Sequence, residues 1–163
     1  MIYHVSIDAD EPRHVAEVLA ELWGGRAVPF PPVIDGSWMA MAGDERNTTI
    51  EVYPRGTELV AAAGDADSYG IIGAPDRRSA THIAIATTLD IDSVYAIARR
   101  EGWPAKYRKR GGMFGVIEFW IEGSRMIEVL TSSMQDEYLG AMTVENWNGF
   151  LASMGAQPDP VTA

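Results

Sequence analysis

Three landmarks of different kinds recur along this chain at one spacing. His4 stands 78 residues before His82, Gly24 stands 78 before Gly102, and Glu51 stands 77 before Glu128. A strand histidine, a helix-stopping glycine and a strand carboxylate repeat in the same order within one residue of a common period, which marks an internal duplication. With 163 residues in all, the two copies are half-domains that have to share one hydrophobic core.

Each copy reads as a β-α-β-β-β module. In the first, Ile2 to Ile7 alternates as a short strand with His4 and Ser6 on one face. Asp10 is placed to cap a helix that starts near Pro12 and carries an apolar stripe of Val15, Val18, Leu19 and Leu22, ended by Gly24 and Gly25. A loop, PFPPVIDG, leads to the strands SWMAMA, TTIEVYP and TELVAAA. The small and polar stretch GDADSYGIIGAPDRRSA reads as a linker. In the second module THIAIA is the strand carrying His82. Asp90 caps a helix with Ile91, Val94, Ile97 and Ala98 on one side, and Gly102 stops it. FGVIEFWIE and RMIEVL follow, with Gly123 and Ser124 as a two-residue hairpin turn. The expected organisation is therefore α+β. It comprises a first module over 1–63, a linker over 64–80, a second module over 81–131 and a C-terminal helical segment and tail over 132–163. Tyr138, Leu139, Met142, Trp147, Phe150 and Leu151 are the candidate buried positions of that last segment, and AQPDPVTA is expected to fray.

Glu128 is the most informative polar residue. A two-residue turn at Gly123 and Ser124 puts Trp120 opposite Ile127 and Phe119 opposite Glu128. The carboxylate then shares a face with Ile117, Phe119, Ile121, Met126 and Leu130. A carboxylate in such company needs a cation, a hydrogen-bond donor or a metal. His82 shares its strand face with Ala84 and Ala86, whose small side chains leave room for a cavity. If the modules pack with pseudo-twofold symmetry, His4, Glu51, His82 and Glu128 converge as an N₂O₂ set. Such a set suits a borderline divalent ion, Zn²⁺, Ni²⁺, Co²⁺ or Mn²⁺. The purely structural alternative pairs His4 with Glu51 and His82 with Glu128 as satisfied polar couples.

Charge and composition narrow the partners. Thirteen basic residues against 23 acidic give a formal charge of −10, a field that repels phosphate backbones and argues against nucleic acid or an anionic membrane as partner. There is no cysteine, which excludes thiolate ligands, disulfides and cysteine nucleophiles. No apolar run approaches the roughly 20 residues that span a bilayer, and the first residues lack a secretory leader's pattern, so the expected location is the cytoplasm.

The strings YHVSI, TIEVY, THIAIA and RMIEVL, ordered on a repeat, resemble the four ligand strands of the vicinal oxygen chelate (glyoxalase-like) superfamily. The resemblance covers roughly residues 2–131. It implies a curved mixed sheet built from two β-α-β-β-β modules around a metal held by His4, Glu51, His82 and Glu128, a ligand order similar to that of glyoxalase I. Methylmalonyl-CoA epimerases differ at the second ligand, where they use glutamine and this chain has Glu51. The resemblance further implies a small-molecule substrate, a homodimer whose ligand pairs could come from different subunits, and Glu128 as a ligand that also acts as catalytic base. Asp8 stands where bacterial glyoxalase I enzymes place an arginine for the glutathione carboxylate, which argues against glutathione as substrate.

Two functions follow from these expectations. The first is a metal-dependent lyase or isomerase that chelates vicinal oxygens of a small carbonyl substrate and stabilises an enolate-like intermediate. The alternative is a metal-free sequestration protein of the bleomycin-resistance type, favoured by the acidic charge and by aromatic side chains suited to a cationic or aromatic ligand. Candidate substrate-binding residues are Trp38, Tyr53, Ile117 and Phe119. Arg108 and Arg110 join them, from the basic cluster Lys106, Arg108, Lys109 and Arg110 that is either a solvated charge run or an arm gripping an anionic group.

Overall fold

Alternating burial along HVSIDA forms strand β1 (His4–Ala9), which feeds helix α1 (Pro12–Trp23). Pro12 opens the helix where a missing N–H costs nothing. Val15, Val18, Leu19 and Leu22 are all at most 3% exposed, and Gly24 ends the helix at φ +69°, a left-handed turn that favours glycine. Strands β2 (Arg26–Pro29), β3 (Trp38–Met41) and β4 (Thr49–Pro54) complete a four-stranded sheet in the order β1-β4-β3-β2, with β1 and β4 parallel. Among the described residues, strands β5 (Thr57–Val60) and β6 (Tyr69–Ile72) pair only with each other. Then β7 (Ile83–Ala86), α2 (Ile91–Glu101), β8 (Ala105–Arg110), β9 (Phe114–Ile121) and β10 (Arg125–Leu130) build a second sheet in the order β7-β10-β9-β8, again with its first and last strands parallel. Helices α3 (Ser132–Ala141) and α4 (Val144–Ser153) follow. This is a computed structural model that describes residues 2–63, 66–75 and 81–153.

The architecture is α+β, two β-α-β-β-β modules with a helical extension, and the two sheets have the same strand order. Several local expectations change. The segment TELVAAA contributes β5, which lies outside the module sheet, while the chain just after α1 supplies β2. The stretch expected to be a linker contains β6, whose Gly70 N–H donates to the Val33 carbonyl at 3.0 Å and so docks onto the Pro-rich loop. Leu139 is 72% exposed, and Met142 and Trp147 are each 40% exposed. Of the extension's expected buried positions, Tyr138 packs edge-on against Phe114, with ring centroids 4.9 Å apart. The expected frayed tail lies outside the described residues.

Asp10 does not cap α1. The cap residue is Glu11, which makes no side-chain cap bond. The exposed N–H groups of Asp10 and Glu11 donate instead to Glu122 of the second module, at 2.7 and 2.8 Å. Asp10 is occupied elsewhere, accepting from Arg55 Nε at 3.1 Å. The Arg55 side chain is only 7% exposed and also reaches Asp8, Glu122 (2.6 Å) and the Ser124 hydroxyl (3.2 Å). Arg125 binds the same Asp8 carboxylate. A cross-module clasp of two guanidinium groups and three carboxylates results. Beneath it one contiguous core joins α1, β1, β3 and β4 to β7, α2, β9 and β10. Each large apolar side chain fully buried there contributes about 1.5–3 kcal/mol. Among the described residues, no helix is long and apolar enough to cross a membrane.

Replacing Arg55 by Met leaves Asp8, Asp10 and Glu122 without their shared cation. The expected loss in unfolding free energy is about 3–5 kcal/mol, measured by denaturant titration. A loss below about 1 kcal/mol would show that the clasp behaves like an ordinary surface pair.

Candidate functional site

Strand register gives the repeat its sharpest form. In the first module Ser6 pairs with Glu51 across the parallel β1–β4 ladder, and His4 lies two residues before Ser6. In the second, Ala84 pairs with Glu128 across β7–β10, and His82 lies two residues before Ala84. A two-residue step along a strand keeps a side chain on the same face. Each histidine therefore sits diagonally from its module's carboxylate on one sheet face, with the same offset in both modules.

Both carboxylates are engaged through one oxygen. Glu51 Oε2 accepts from the Ser6 hydroxyl at 2.9 Å and from the Tyr53 phenol at 2.5 Å. Burial, followed by the hydrogen bond to Glu51, pushes the Tyr53 phenol up to about 12. Glu128, 8% exposed, accepts on Oε1 from Arg110 Nε at 3.0 Å and Nη2 at 2.6 Å. The pairing with Glu128 raises the affinity of Arg110 for its own proton. The same Nη2 lies 2.9 Å from Glu118. Glu51 Oε1 and Glu128 Oε2 have no hydrogen bond among the described residues.

The expected neighbours of Glu128 are corrected by the hairpin. Ile121 pairs with Arg125, so the turn contains three residues, Glu122, Gly123 and Ser124. Glu122 and Gly123 both adopt positive φ, +49° and +65°. The longer turn moves every cross-strand partner by one. Phe119 faces Ile127, and Glu128 faces Glu118. Ile117 and Phe119 are buried in the core, at 0% exposure. Two carboxylates directly opposite would repel, and Arg110, reaching across from β8, bridges them and offsets one of the two charges. The glutamate within FGVIEF was readable as a candidate only with the three-residue turn in hand.

The remaining candidates divide. Trp38 pairs with Val52, on the face opposite Glu51, and Arg13 of α1 stacks over its ring at 5.1 Å. It belongs to the helix-covered side. Tyr53 and Arg110 touch the two carboxylates directly. Arg108 is a partly exposed neighbour, 3.8 Å from Glu118. Lys109 binds Glu137 of α3 at 2.7 Å.

His4 and His82 line one cavity of about 590 Å³ between the two modules, with Tyr3, Trp23 and Ala84. Glu128 opens instead into a cavity of about 330 Å³ roofed by Tyr138, Trp147 and Phe150, with Arg110 and Phe114 on its wall. Among the described residues of a single chain, no three His, Cys, Asp or Glu side chains are grouped as metal ligands. The donor set fits a borderline divalent ion by type and by the open oxygen on each carboxylate. The registers put one histidine and one carboxylate on the same sheet face in each module, while His82 and Glu128 open into different cavities.

No family model matches the sequence, and no curated protein matches it. Solved structures do. A fosfomycin resistance protein, FosX, from Listeria monocytogenes superposes with a TM-score of 0.55 at 14% identity, covering 86% of this chain and 96% of that one. The same protein complexed with Mn(II) and sulfate gives 0.54 at 11% identity, covering 86% and 96%. A lactoylglutathione lyase from Agrobacterium tumefaciens gives 0.53 at 12% identity, covering 82% and 94%. Together with the duplicated modules and their common strand order, these likenesses give the chain a glyoxalase-like fold.

Proposed function

We propose that this protein is a divalent-metal-dependent enzyme of the glyoxalase type, a lyase or isomerase. Its substrate is a small carbonyl compound bearing two neighbouring oxygens. The observation that carries the reading is the identical diagonal placement of His4 with Glu51 and of His82 with Glu128. The two duplicated strand pairs have no packing reason for both to have kept a histidine–carboxylate diagonal. A common ligand gives them one.

His4, Glu51, His82 and Glu128 would hold the ion, each module supplying one nitrogen and one oxygen. Since the half-shells do not group within one chain, a homodimer joining the first module of one copy to the second of the other is the arrangement that completes the shell. When bound, the ion would polarise the substrate oxygens. The chain's own groups have separate tasks. Ser6 and Tyr53 fix the rotamer of Glu51 by holding one oxygen. Glu128 is the proton acceptor beside the substrate carbonyl, walled by the apolar side chains of α3 and α4, which exclude water. The manganese seen in the FosX relative agrees with the ion class. The cytoplasm is the compartment this reading assigns.

A second reading, metal-free sequestration, draws on the cavity under Tyr138, Trp147 and Phe150. Aromatic faces beside the Glu128 carboxylate suit a flat organic cation.

Elemental analysis separates the two. Wild type purified without added metal is expected to carry stoichiometric Zn, Ni, Co or Mn, and His82→Ala and Glu128→Ala to lose it with the fold intact. Metal-free wild type that binds an aromatic cation stoichiometrically would replace the enzymatic reading with the second one.

Tyr53 reports on the Glu51 half-shell. Its folded value of about 12 lies above the ordinary 10.0, so the phenol's contribution to stability is complete below pH 10 and is lost as pH rises through about 12. In Glu51→Gln the charged acceptor is gone, and ultraviolet difference titration should find Tyr53 ionising at lower pH than in wild type. An unchanged titration would mean that burial alone sets the phenol.

A further inference from the structure

The C-terminal extension lies outside the duplicated modules, and its two helices are held unequally. Helix α3 is anchored, with Met134 buried in the core and Glu137 accepting from Lys109 Nζ and the Gly115 N–H, each at 2.7 Å. Helix α4 has no buried residue. Its Trp147 and Phe150 rings, 5.2 Å apart, roof the cavity of about 330 Å³ that Phe114, Tyr138 and Met142 wall. One acid lines this apolar space: Glu128, 8% exposed. Arg110 holds its Oε1 through two N–H groups, and among the described residues no donor reaches Oε2. The guanidinium is not wholly committed to Glu128, because Nη2 also lies 2.9 Å from Glu118, whose other oxygen is 3.8 Å from the partly exposed Arg108. A nearly buried carboxylate thus keeps a share of its charge and one open oxygen beside aromatic faces. Such an oxygen calls for a donor.

We infer that the cavity under α4 is a site for one small aromatic amine in its protonated form, its ammonium N–H donating to Glu128 Oε2 and its ring lying against Trp147 and Phe150. The inference rests on the metal-free reading above and deepens it by naming the ligand class. Three features select that class. The open oxygen needs an N–H, which a quaternary ammonium lacks. The charge left on Glu128 favours an ammonium over a neutral donor of the same shape. The volume falls at the low end of the roughly 300–1,000 Å³ of small-molecule sites, which admits two fused rings and little more. Arg110 stays on Oε1 throughout, so binding removes no existing bond. Helix α4, lacking buried contacts of its own, is the element that the ligand's ring would hold in place.

The test is calorimetric titration, in buffer containing a chelator, with three probes: 1-naphthylmethylammonium, its N,N,N-trimethyl analogue and 1-naphthalenemethanol. Wild type should bind the primary ammonium at one per chain, and each of the other two about tenfold more weakly or worse. In Glu128→Gln the carboxylate is gone while Arg110 retains Glu118, and the preference for the ammonium over the alcohol should shrink to about threefold or less. A substitution that merely disturbed the cavity would weaken both probes alike, so this ratio isolates the contact. Phe150→Ala, on a helix with no buried residue, should weaken the ammonium and the alcohol by the same factor, about fivefold or more, with the preference kept. Melting temperatures establish that both variants are folded.

Equal binding of the ammonium and its trimethyl analogue would overturn the inference. So would a preference that survives in Glu128→Gln, or an affinity untouched by Phe150→Ala. In those cases an aromatic cation is still bound without metal, and the metal-free reading stands while the inference falls. If wild type binds none of the three probes, that reading falls and takes this inference with it.

Discussion

Parallel pairing between the first and last strand of each module is the constraint on which the rest depends. A parallel ladder needs a crossover, and α1 and α2 provide it, covering one face of each sheet with the apolar stripes that build the shared core. The opposite face is left to polar chemistry. Because β1 meets β4 and β7 meets β10 in equivalent registers, a histidine at the start of one strand and a carboxylate on the other land on the same diagonal twice. The site is a by-product of the ladder.

The two halves diverge in how they hold their acid. Module one uses hydroxyls from its own ladder, Ser6 beside Glu51 and Tyr53 two residues on. Module two uses a cation from its far strand, made necessary by Glu118. Neutral donors orient a carboxylate and leave its charge available, whereas a guanidinium orients it and spends the charge. The duplicated fold therefore carries two carboxylates of unequal electrostatic character at equivalent positions. This inequality is a local matter of three side chains and requires no change in backbone.

Much of this was legible in the residues. The 78-residue period located both modules, both helices and all four candidate ligands, because landmarks such as His4 and Gly24 need only sequence distance to be recognised. Partners across strands were harder. One extra turn residue at Glu122, held in a left-handed conformation that non-glycine residues rarely take, shifted the β9–β10 register and exchanged Phe119 for Glu118 opposite Glu128. Short edge strands were also opaque. Arg26–Pro29 is too brief for periodicity to register, and TELVAAA, a good strand by composition, found its partner in Tyr69–Ile72 instead of the module sheet. Capping failed for a different reason. Asp10 has the right chemistry for the start of α1, but Arg55 claims it, and that contact spans 45 positions of sequence.

Glu122 carries a consequence for how the two halves depend on each other. It sits in the hairpin of the second half, yet its two carboxylate oxygens close the open end of the first half's helix and its charge meets Arg55 from the first half. The N-cap Glu11 makes no side-chain cap bond of its own, so the start of that helix is met by a carboxylate from the other half. Cut away from the second half, the first would keep Asp8 and Asp10 beside Arg55 but lose the carboxylate that meets the opening of its helix.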